Sequence, residues 1–116
     1  MKITIRKKGS HTAILISFDV QSENFTPTEK SKFFEDLYGR KQIIRRKKKT
    51  YTYRREGVLD EVPHIGVDRS VFIVAMENMK RMEEFFNEWQ NKVMVRSFPV
   101  LITDKEKEKL KKEVEL

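Results

Sequence analysis

The sequence predicts one α+β domain whose elements follow the order strand, helix, strand or hairpin, strand, helix, strand. Three observations lead there. Two short runs, Thr12–Phe18 and Ser70–Ala75, are almost wholly apolar, as strands buried on both faces require. Each run is followed by a segment whose apolar residues recur at helical spacing. No internal repeat, Gly/Ser linker or Pro-rich stretch divides the 116 residues, a length that suits one domain and is short for two.

Taken in order, residues 2–8 alternate and then turn basic, which predicts a short edge strand ended by Gly9 and Ser10. The run Thr12-Ala13-Ile14-Leu15-Ile16-Ser17-Phe18 is the first buried strand, leaving through Asp19 into a polar loop. A helix is then marked over about 27–38. Thr26 caps it, Pro27 sits where a missing N–H costs nothing, and Glu29 completes a Thr-x-x-Glu capping box. Phe33, Phe34 and Leu37 share one face, and Gly39 provides the stop.

From Lys41 to Glu56 the residues favour extended backbone: Ile43, Ile44, Thr50, Tyr51, Thr52 and Tyr53. Arg46–Lys49 interrupts two β-prone pieces, so a hairpin with a basic tip is one reading. A single long strand is the other, because no Gly or Asn is present for a tight primed turn. Gly57–Arg69 reads as loop, punctuated by Pro63 and Gly66. After the second buried strand, Asn78 is expected to cap a helix that turns Met79, Met82, Phe85, Phe86 and Trp89 to the core. Lys92–Ile102 is the last strand, at an edge because of Pro99. Thr103 and Glu106 open a charged helix over Lys105–Leu116.

This order matches the ferredoxin-like βαββαβ arrangement. In that topology the first and third strands are central, and these are the two most apolar ones here. The domain is expected over 1–103, with 104–116 as a charged helical tail. The basic segment then falls at or beside a sheet edge, within reach of solvent.

Composition narrows the function. There is no cysteine, which removes disulfides and thiolate metal sites. No apolar run approaches the ~20 residues that span a bilayer, and the first residues lack the apolar block of a signal peptide. A cytoplasmic protein without membrane contact is expected. The 37% of charged residues leans toward a thermophilic source. The net charge is +7, yet residues 40–55 alone hold nine basic side chains and no acidic one, which leaves −2 for the rest. The basic character is one patch.

That patch supplies the candidate binding residues: Arg40, Lys41, Arg45, Arg46, Lys47, Lys48, Lys49, Tyr51, Tyr53, Arg54 and Arg55. In a strand, Tyr51, Tyr53 and Arg55 share a face. Bases stack on such rings, while the cations neutralise phosphates and release counterions. The expected partner is RNA or DNA. RNA is favoured because its single-stranded regions splay their bases out. The plainer reading packs both tyrosines against helices and leaves the charges to keep an edge strand soluble. Nine cations without an anion exceed what edge protection needs. The segment lacks the signatures of the common RNA-recognition module, the KH loop and the zinc finger. A third reading makes it a docking surface for an acidic protein or a ribonucleoprotein.

Catalytic signals are few. Asp19 ends a buried strand, a place where carboxylates meet metals or substrates. The segment Ile16-Ser17-Phe18-Asp19-Val20, with Leu37-Tyr38-Gly39-Arg40 after the helix, resembles the small CRISPR-associated adaptation proteins of ferredoxin-like fold, over about a third of the chain. The resemblance implies a homodimer with its Asp19 residues facing each other and a metal-dependent nuclease. The simpler reading of Asp19 is a loop-initiating or helix-capping carboxylate. His11 and His64 offer no zinc spacing, and His64 suits a backbone hydrogen bond. No nucleophile elbow, phosphate loop or dinucleotide fingerprint is present. No cofactor or metal is therefore expected, and a non-enzymatic role is favoured.

Overall fold

The computed structural model describes residues 10–111. The edge strand expected over 2–8 and the last turns of the expected tail helix lie outside them. The chain is α+β. β1 (His11–Val20) leads through a 3-10 turn to α1 (Pro27–Tyr38), followed by β2 (Arg40–Arg46), β3 (Lys49–Arg55), the short α2 (Val58–Glu61), β4 (His64–Asp68) and β5 (Val71–Val74). A second 3-10 turn precedes α3 (Met79–Asn87), and β6 (Val93–Ile102) and α4 (Asp104–Lys109) complete the order.

Four strands form one antiparallel sheet in the order β4-β5-β1-β6. The two apolar runs are its central strands, as their composition required. Pro99 lies on β6 opposite Ile14, and β6 is an edge, where a residue without an N–H costs no ladder bond on its open side. The other edge is a correction to the sequence reading. Gly57–Arg69 was expected to be loop, yet it contains α2 and β4. β4 is only five residues long and shifts register between Gly66 and Asp68. So brief a bulged strand is specified by the partner it pairs with, and a Pro and a Gly nearby hide it locally.

Both helical layers cover one face of the sheet. Ile16, Phe18, Phe72 and Val74 from β1 and β5 meet Phe33 and Leu37 of α1 and Met82, Phe85 and Phe86 of α3. Aromatic rings dominate this core. Phe18 meets Phe33 edge-on with centroids 5.6 Å apart, and Phe33 meets Trp89 edge-on at 5.3 Å, the geometry that ring quadrupoles favour. On the opposite face Ala13, Ile73 and Ile102 pack against Leu110, just beyond α4. Leu110, at the end of the charged helix α4, thus helps to hold it against the sheet.

The helix signals act as written. Thr26 Oγ1 accepts from the Glu29 N–H at 3.1 Å while Glu29 Oε1 accepts from the Thr26 N–H at 3.1 Å. Thr103 and Glu106 repeat the device at α4. Asn78 differs from expectation: its side chain makes no capping bond, because a 3-10 turn over Met76–Asn78 leads straight into α3.

Candidate nucleic-acid interface

The basic segment forms a hairpin, β2 and β3, whose strands pair with each other and, among the described residues, with no strand of the four-stranded sheet. Of the expectation that it would fall at or beside a sheet edge, the first half is corrected, because β4 takes the position beside β5; its reach to solvent is as expected. The register runs from Arg40 opposite Arg55 at the base to Arg46 opposite Lys49 at the tip. Lys47 and Lys48 alone make the turn. Neither has a positive φ, since Asn91 is the one non-glycine residue with that geometry among those described. The hairpin therefore closes without the primed turn usual for a two-residue loop, which is why no Gly or Asn marks it.

The register sorts the side chains, because directly opposite residues share a face. Tyr53 faces Gln42 and Tyr51 faces Ile44 in the middle of one face, with Arg46 and Lys49 toward the tip. Arg40 and Arg55 close that face at the base. The other face carries Lys41 with Arg54, Ile43 with Thr52 and Arg45 with Thr50. Every residue of β3 is exposed. Tyr51 and Tyr53 retain 41% and 52% of their surface in solvent, and their rings lie near parallel, 19° apart, with centroids separated by 6.3 Å. They are not core residues.

Two of the nine cations are engaged internally. Arg40 Nη1 lies 3.2 Å from Glu35 Oε1. Arg54 Nη2 donates to Asp60 Oδ1 at 2.7 Å and Oδ2 at 2.9 Å, and to the Tyr38 carbonyl at 3.1 Å. Among the described residues, no carboxylate lies within ion-pairing distance of Lys41, Arg45, Arg46, Lys47, Lys48, Lys49 or Arg55. Sequence reasoning did not foresee Asp60 as the partner of Arg54. Asp60 also accepts from the Gly57 N–H at 2.8 Å. The Arg54 hydrogen bond first, and then that of Gly57, hold its carboxyl below the usual carboxylate range.

The base of the ribbon is built on two glycines. Gly39 has φ +86, and a Cβ there would meet Asp60 Oδ2 at 2.6 Å and the Arg55 carbonyl at 2.8 Å. A Cβ on Gly57 would stand 2.3 Å from the Gly39 nitrogen. The strands can leave and re-enter the body side by side only because neither position carries a side chain.

The remaining candidates lie elsewhere. Asp19 is exposed near the end of β1, opposite Met94, with Gln21 Nε2 3.5 Å from its Oδ2. No group of three His, Asp or Glu residues suited to a metal gathers around it or elsewhere among the described residues. His64 sits on β4 with Nδ1 3.0 Å from the Val62 carbonyl, the backbone bond its setting suggested. His11 Nε2 lies 2.5 Å from Asp104 Oδ1 and helps to tie α4 to β1. No described helix is long and apolar enough to cross a membrane. No protein-family model, curated protein or solved structure matches the chain.

Proposed function

We propose that this chain is a nucleic-acid-binding module, with RNA favoured over DNA, and that the β2–β3 ribbon is its binding surface. One observation carries the reading: seven cations on a self-paired ribbon have no carboxylate partner among the described residues, beside two exposed tyrosines. A polyanion supplies what those cations lack. Released counterions provide the drive, and the rings add a sequence-tolerant stacking surface. RNA is favoured because its loops and single strands present bases that are free to stack. The tethered pair, Arg40 and Arg54, is assigned to holding the ribbon rather than the ligand.

The body is read as ferredoxin-like, with the ribbon and α2 inserted after the first helix. What supports this is the order β1, α1, β4, β5, α3, β6, whose strands align antiparallel as β4-β5-β1-β6 with both helices on one face.

The test replaces Arg45, Arg46, Lys47, Lys48 and Lys49 by Gln and follows binding of a labelled single-stranded RNA at rising salt. The variant is expected to fold with little change in melting temperature and to lose binding at 200 mM salt. Binding that survives those conditions would mean another surface holds the ligand.

A further inference from the structure

Resting on that functional reading, we infer that the ligand is an unpaired strand laid along the tyrosine face of the ribbon, with about four nucleotides in contact, and not a duplex. The two faces differ in kind. One presents both rings, with Arg46 and Lys49 on the tip side of them and Arg55 on the base side. The other has no ring, and one of its three cations, Arg54, is bound to Asp60.

Ring spacing selects the strand. Tyr51 and Tyr53 are 6.3 Å apart and near parallel, whereas successive nucleotides of one strand in a duplex rise by about 3.4 Å. Placing one base on each ring therefore pulls neighbouring bases out of their own stack. An unpaired strand yields to this at low cost; a duplex does so only by breaking pairs. Each seven-residue strand of the ribbon is about 23 Å long at roughly 3.3 Å per residue, which at the ring spacing accommodates about four nucleotides. The free cations stand before and after the rings, where the phosphates flanking two stacked bases would fall.

The test measures binding of oligouridylates of two to ten nucleotides, and of a blunt RNA duplex, at one fixed salt concentration. For the wild type, affinity should climb to about four nucleotides and then rise only slowly. Replacing Tyr51→Ser with Tyr53→Ser should weaken the single strand by tenfold or more and leave duplex binding within about twofold. The Tyr51→Phe, Tyr53→Phe variant keeps the rings and should retain affinity. Ile43→Ser with Thr52→Ser, an uncharged pair on the other face, should leave affinity within about twofold. Equal losses from the two faces, or a wild type that holds duplex as tightly as single strand, would overturn the face and strand assignment while leaving nucleic-acid binding intact. A wild type that binds none of these probes would overturn the functional reading itself.

Discussion

Arg54 and Asp60 meet at the base of the ribbon, one guanidinium nitrogen lying 2.7 Å and 2.9 Å from the two carboxylate oxygens. The same nitrogen reaches the Tyr38 carbonyl, and the same carboxylate receives the Gly57 N–H. Four points of the chain, the end of α1, the end of β3, the entry to α2 and α2 itself, are thereby joined through two side chains. A two-stranded hairpin is marginal on its own, so its orientation depends on a fixed root. Replacing Arg54→Ala should lower stability by about 1 kcal/mol, the usual worth of a partly exposed charge-assisted bond. Hydrogen exchange across β2 and β3 should quicken more than in the central strands. Uniform acceleration through the whole domain would show that the contact is not local.

Acid should loosen this root before neutral conditions do. The Asp60 carboxyl is held below its usual value by Arg54 and Gly57, so its folded value lies under its unfolded one. Its stabilisation is present above the unfolded value of about 4 and is lost as pH falls through the folded value. Glu106, lowered by Thr103, acts in the same direction. Urea midpoints between pH 6 and pH 2.5 should therefore fall more steeply for wild type than for Asp60→Asn. Parallel curves would remove the assignment.

The three described glycines of the middle of the chain make a graded set. Gly39→Ala and Gly57→Ala each force a Cβ against backbone closer than 3.0 Å, and Gly39 adds a positive φ. Each should cost about 2 kcal/mol or more. Gly66→Ala meets nothing within 4 Å and should be near neutral. Thermal melts rank them, and a Gly39→Ala variant as stable as Gly66→Ala would contradict the crowded root.

Leu110 is 3% exposed in the second core cluster. Leu110→Ala should cost about 2–3 kcal/mol, through lost burial and the cavity left behind. A melting temperature unchanged from wild type would make α4 a solvated tail after all.

Much of this was legible in the residues, for reasons that are local. Thr26, Pro27 and Glu29 start α1 through bonds among near neighbours, and the apolar runs around Ile16 and Ile73 are central because only a central strand buries both faces. Two things were not legible. β4 exists because β5 pairs with it, and nothing in His64–Asp68 says so alone. The hairpin turn at Lys47 and Lys48 lacks the residues that usually mark one. Of the candidate interface, the charge and the rings were visible in order along the chain. That Arg54 and Arg40 pair with Asp60 and Glu35 was not, since those carboxylates reach them only once the backbone doubles back.

The most direct test of the central claim is the salt dependence of affinity for a single-stranded RNA. With up to seven ribbon cations that have no carboxylate partner among the described residues and a slope near −0.7 per phosphate neutralised, log K against log salt should fall with a slope between about −2 and −5. The five-residue Gln variant should flatten it. A slope near zero, or one the variant leaves unchanged, would contradict binding through the ribbon.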